Sequence, residues 1–143
     1  MRILCIGDIV GKPGRRVVSA LVPALRRELS LDVVVANGEN AAAGRGLSAS
    51  TAREIFAAQV DVITSGNHIW AQPDIIPQLD SDALILRPAN YPAGAPGRGI
   101  CTFGDLTVIN LMGRAFMYEI DDPFRTADRL LESVPAGSPI LVD

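Results

Sequence analysis

The stretch DVVVANGEN, residues 32–40, decides the fold: a β-branched apolar run stops abruptly on Asn37-Gly38 and delivers Glu39 and Asn40 directly behind it. Such a run reads as a buried strand, and its neighbours repeat the arrangement. Upstream, the apolar run 2–6 ends on Gly7-Asp8; downstream, the run 60–64 ends on Ser65-Gly66 and leads into Asn67-His68. Between them lie helical patterns. Val17/Val18, Leu21/Val22, Leu25 and Leu29 recur at helical spacing and predict a helix over 15–29, with Pro23 inside it expected to kink or shorten it. Thr51-Ala-Arg-Glu54 fits a capping box for a second helix whose apolar stripe is Ala52, Ile55 and Phe56. The order is therefore β-α-β-α-β, which calls for a largely parallel sheet covered by helices.

The second half is less regular. Residues 70–79 read as a short helix or turn with Pro73 near its start, 83–86 as a fourth strand, and 87–99 as a Pro/Gly-rich loop. Runs 100–103 and 106–110, split by Gly104-Asp105, form the one good hairpin signal and point to an antiparallel addition or a second sheet. Asp122-Pro123 is an N-cap followed by proline, opening a helix to Leu131, and 139–142 is a last strand. No repeat, low-complexity tract or linker interrupts the 143 residues, so they read as one domain.

Composition narrows the function. Thirteen basic against 16 acidic residues give a net charge of −3, and with 5% aromatics this excludes a general nucleic-acid binder. At 48% apolar the chain builds a core without disulfides, and no segment approaches the ~18 apolar residues of a membrane span. Asp8 interrupts the N-terminal apolar run before a signal-peptide core can form. Cys5 and Cys101, far apart and inside apolar runs, read as small buried hydrophobes in a reducing, cytoplasmic setting. His68 is the only histidine, which excludes any metal site needing two imidazoles from this chain.

The chemistry lies in the matching strand ends. The carboxyl ends of parallel strands share one edge of a sheet, where ligand sites form, so Asp8, Glu39, Asn40, Asn67 and His68 should converge. Taken singly, each has an ordinary explanation as a turn, cap or packed residue. Three matching corners are harder to explain as turns, because turns need neither a carboxylate nor a histidine. Oxygen donors with one or two nitrogens suit Mg²⁺, Mn²⁺, Fe²⁺ or Zn²⁺, with a carboxylate as the natural bridge in a dinuclear site. Competing motifs fail. GDIVGKPG (7–14) has the wrong spacing for a Walker loop and Pro13 in place of its Ser/Thr, Ile9 stands where a dinucleotide fingerprint needs glycine, and no G-x-S-x-G occurs.

The ordered blocks IGDIVG (6–11), NGENAA (37–42), SGNHIW (65–70), RPANYP (87–92), INLMGRAF (109–116) and DDPF (121–124) resemble the metallophosphoesterase superfamily. Within it they resemble the YmdB-like branch, with the fold of calcineurin-type phosphoesterases. The resemblance covers nearly the whole chain and implies an α/β fold, a layered α/β/β/α sandwich, of which these residues are the first half to two-thirds. It implies that Asp8 binds one metal, Glu39 bridges two, Asn40 and Asn67 bind the second through amide oxygens, and His68 donates a proton. Two divalent ions are implied, iron or manganese before magnesium or zinc, acting on a small phosphodiester such as a 2′,3′-cyclic nucleotide. Arg45, Arg87 and Arg114 are candidate phosphate contacts. Val10 stands where many superfamily members carry a histidine ligand, a departure shared by this branch.

Family members continue past residue 143, and their later histidine ligands have no counterpart here. The expectation is a single domain, 1–143, without its C-terminal part and with poor metal retention alone. Exposed apolar edges of such a half-sheet leave room for a homo-oligomer. The alternative from another class is a non-catalytic regulatory or interaction module that keeps the fold after loss of the C-terminal ligands.

Overall fold

A computed structural model describes residues 1–117 and 119–143. Strands β1 (Ile3–Ile6), β2 (Val33–Asn37) and β3 (Val62–Thr64) form a parallel sheet in the order β1-β2-β3. Helices α1 (Gly11–Glu28) and α2 (Ala49–Ala57) make its crossovers, and a short helix α3 (Ile76–Ser81) follows two 3-10 turns over Asn67–Ala71 and Pro73–Ile75. A second sheet holds β4 (Ile100–Phe103), β5 (Leu106–Ile109) and β6 (Ile140–Val142) in the order β4-β5-β6. The pair β4–β5 is the expected hairpin, whereas β5 and β6 run parallel, joined through α4 (Pro123–Leu131).

Strand alternation sends side chains of the first sheet into two separate cores. Val34, Ala36 and Ile63 pack on one face with Val18 and Val22 of α1, Ala52 and Ile55 of α2, and Leu79 of α3. Val33, Val35 and Val62 point the other way and meet Cys101, Leu106 and Val108 of the second sheet. The layered arrangement of helices, sheet and sheet follows from β2, which is buried on both faces. Among the described residues no helix is long and apolar enough to cross a membrane.

Four local expectations are corrected. α1 starts at Gly11 rather than near residue 15 and runs unbroken through Pro23. The bond that proline removes would have ended on the carbonyl of Ser19, an exposed residue, where its loss is tolerated more easily than in the core. The capping box of α2 sits one turn earlier: Thr51 N–H donates to Ser48 Oγ (3.1 Å) and Ser48 N–H to Thr51 Oγ1 (2.9 Å). Glu54 instead pairs with Arg15 across to α1 (2.6 Å).

Residues 83–86 form no strand; Ile85 bridges Ile63 and Leu86 bridges Arg98. The segment changes partner after one pairing on each side and so extends neither sheet. Cys5, expected buried, is exposed, because β1 is an edge strand and the inter-sheet core does not reach its end. Partial burial, with Asp143 adding to it, raises the Cys5 thiol above its ordinary pKa. Cys101 is buried, and desolvation pushes its thiol up to about 11.

Candidate active site

The three parallel strand ends deliver their polar residues to one edge of the first sheet. Ile9 N–H donates to the Asn37 carbonyl (2.9 Å), Gly11 N–H to the Asn40 carbonyl (2.9 Å) and Gly38 N–H to the Thr64 carbonyl (2.9 Å). Backbone bonds thus lock the three loops together before any side chain is considered. Asn37 adds a turn of its own, its Oδ1 accepting from Glu39 N–H (3.1 Å).

The side chains then form a chain of contacts. Asn40 Nδ2 donates to Asp8 Oδ2 (2.7 Å), which aims the amide oxygen the other way, 2.6 Å from His68 Nδ1. An amide oxygen only accepts, so Nδ1 carries the hydrogen of that bond and Nε2 faces elsewhere. Glu39 Oε2 accepts from His68 N–H (3.3 Å) and lies 4.0 Å from His68 Nδ1. A Cβ on Gly66 would stand 2.7 Å from Glu39 Cδ, so this carboxylate occupies room that only glycine leaves.

Asn67 and Arg45 lie alongside, lining a cavity of about 380 Å³ together with His68, Trp70, Ala71 and Tyr91. The other two arginines are engaged elsewhere. Arg87, 8% exposed, donates through Nε, Nη1 and Nη2 to the carbonyls of Pro96, Pro88 and Ala95, fastening its own loop. Burial lowers its pKa, with Tyr91 acting in the opposite sense. Arg114 pairs with Asp122 (2.9 Å) at the start of α4. Neither meets the strand-end residues through a hydrogen bond among the described residues.

Donor chemistry limits what this edge can hold. Asp8 Oδ1 and Glu39 Oε1 accept no hydrogen bond among the described residues, and two carboxylates with the amides of Asn40 and Asn67 suit an oxygen-preferring divalent cation. Among the described residues no group of three or more His, Cys, Asp or Glu comes together to hold a metal. The residues therefore fit part of a hard-cation site.

One residue the sequence reading missed supports the edge from below. Asn110, 1% exposed at the end of β5, donates from Nδ2 to the Ser65 (2.8 Å) and Leu86 (3.1 Å) carbonyls. Ser65 immediately precedes Gly66-Asn67-His68, so the second sheet holds the turn that presents the histidine. In the sequence it shows as a polar residue ending an apolar strand, inside the block INLMGRAF.

The model of YmdB-like proteins matches residues 4–143, and the chain belongs to that family. It is 41% identical over 145 residues to the 2′,3′-cyclic-nucleotide 2′-phosphodiesterase of Bacillus subtilis (strain 168), covering 99% of this chain and 55% of that one. A putative phosphatase/phosphodiesterase of Mycoplasma genitalium is 28% identical, with 92% and 50% covered. Among solved structures, a hypothetical protein from Thermus thermophilus superposes with a TM-score of 0.90 at 42% identity, over 99% of this chain and 56% of that one. A structure described as a novel phosphatase of Mycoplasma pneumoniae gives 0.87 at 26% identity, over 99% and 53%. The chain spans about half the length of the curated relatives it matches.

Proposed function

We propose that this chain supplies the metal-holding and proton-donating part of a phosphodiesterase acting on 2′,3′-cyclic nucleotides. The observation that carries the reading is the run Asp8–Asn40–His68, beside Glu39, assembled from three successive parallel strand ends. The similar protein of Bacillus subtilis is named for that substrate class.

Asp8, Glu39, Asn40 and Asn67 would hold the divalent ions, manganese or iron, with Glu39 shared between two. Such ions, when bound, neutralise phosphoryl oxygens and lower the pKa of a coordinated water. His68 then performs the proton step. Its Nδ1–H is held by Asn40 Oδ1, so in the imidazolium the other hydrogen, on Nε2, is available to the departing alkoxide oxygen. Asp8 orients Asn40 and Asn40 orients His68, the same logic by which an acid fixes a catalytic imidazole elsewhere. The two free cysteines agree with a reducing, cytoplasmic setting.

A second reading, a non-catalytic module with the same fold, is favoured by the lack of any group of three metal-capable His, Cys, Asp or Glu side chains among the described residues. Titration of the purified chain with Mn²⁺, followed by calorimetry and paired with hydrolysis of 2′,3′-cyclic AMP, separates the two. The phosphodiesterase reading expects saturable Mn²⁺ binding, weakened roughly tenfold or more in Glu39→Gln by loss of a charged ligand. No binding at millimolar Mn²⁺ selects the module.

A further inference from the structure

We propose that the cavity beside His68 is a nucleobase subsite, lined by the aromatic pair Trp70 and Tyr91 and by Arg45. The inference rests on the phosphodiesterase reading for its substrate but on separate residues for its binding. At about 380 Å³ the cavity is within the ~300–1,000 Å³ typical of small-molecule sites. Its lining is unlike the metal-side edge: two aromatic rings, a methyl group, an amide, an imidazole and one guanidinium, with no carboxylate. A planar, uncharged, π-rich group matches that lining, since indole and phenol rings stack on any base and arginine stacks on or pairs with what lies beside it.

The aromatic pair is built to keep its place. Trp70 lies two residues after His68 in the same 3-10 turn, Asn67–Ala71, so ring and imidazole are positioned by one backbone segment. Tyr91 braces the indole edge-to-face, with centroids 5.3 Å apart and planes at 79°. Both residues are half-buried. The loop bearing Arg45 is fastened to the same turn: Gln72 Nε2 donates to the Arg45 carbonyl (3.0 Å). Gly46, at φ +88°, lies so close that a Cβ there would stand 2.8 Å from Gln72 Cγ and 3.0 Å from Ala71 Cβ. Asn67 and His68 belong to both regions, so a molecule reacting at His68 leaves its non-reacting part facing the aromatic pair.

Trp70 is the only tryptophan, so its emission reads this cavity directly in the unlabelled 143-residue chain. Adenosine 3′-monophosphate is expected to quench it saturably, while ribose 5-phosphate and inorganic phosphate leave it unchanged. Arg45→Ala, at an exposed position, and Tyr91→Ala are expected to weaken nucleotide binding roughly tenfold each. Equal quenching by ribose 5-phosphate would overturn the base subsite in favour of a phosphate site. So would the absence of saturable quenching at millimolar nucleotide, whatever the hydrolytic result. Quenching in a chain that binds no Mn²⁺ at millimolar concentration leaves the subsite standing and removes the phosphodiesterase reading instead.

Discussion

The two sheets end differently, although both are three strands wide and share a core. In the first, every strand end carries polar side chains that meet one another, and carboxylate oxygens remain unengaged. In the second, Asn110 at the end of β5 is buried, and its amide donates to the backbone carbonyls of Ser65 and Leu86. Asn90 acts similarly, joining the Met112 carbonyl and N–H to the Asp121 carbonyl. The same residue type thus does opposite work: half-buried Asn40 joins the side chains of Asp8 and His68, while buried Asn110 fixes the backbone that presents His68. Burial decides which, because a buried amide must satisfy its donors locally.

This contrast can be broken at several points. Ile63→Ala removes a fully buried side chain under the first sheet and is expected to cost about 2–5 kcal/mol in urea unfolding, loosening the Gly38 turn that packs on it. Asn110→Ala is expected to cost about 1–3 kcal/mol, because the Ser65 carbonyl loses its buried donor, and to shift the single imidazole NMR resonance of His68. An unchanged resonance would separate the second sheet from the site.

Gly66→Ala should reverse the balance. The displaced atoms are the far end of Glu39, so stability falls by about 1 kcal/mol or less while Mn²⁺ affinity drops roughly tenfold. Unaltered Mn²⁺ binding would remove Glu39 from the ligand set.

The smallest effect lies at α4. Hydrogen bonds from Arg125 and Phe124 N–H, with the Arg114 and Arg125 charges, hold the Asp122 carboxyl below its ordinary pKa. Its stabilisation is therefore full above about pH 4, the unfolded carboxylate value, and is lost as pH falls through the lower folded value. Asp122→Asn, which keeps a cap but removes that titration, should flatten the acid dependence of α4 helicity measured by amide exchange.

Much of this architecture was legible in the chain. Residues 32–36, 60–64 and the cap at Asp122-Pro123 were plain because burial on both faces and capping chemistry leave local marks. The partner change at 83–86 was not, since its apolar run looks like any strand and its two single bridges depend on where Ile63 and Arg98 come to lie. At the site, the convergence of Asp8, Glu39, Asn40 and His68 was readable from matching strand ends, and Asn67 came to line the cavity beside them. The carbonyl partners of Arg87 were not readable, because an arginine in a loop looks available until tertiary structure surrounds it. The bracing contacts of Asn110 and of the Trp70–Tyr91 pair were not readable, although all three residues fall in the quoted blocks, because those contacts exist only across long sequence separations.

The amide of Asn40 between Asp8 and His68 has one more consequence. An amide transmits orientation and electric field but does not pass a proton along, since its nitrogen donates to Asp8 and its oxygen accepts from His68 without exchanging hydrogens. Asp8 and His68 are electrically coupled yet protonically insulated. On the proposed phosphodiesterase reading, the carboxylate behind the ring therefore serves to orient the imidazole and not to resupply its proton.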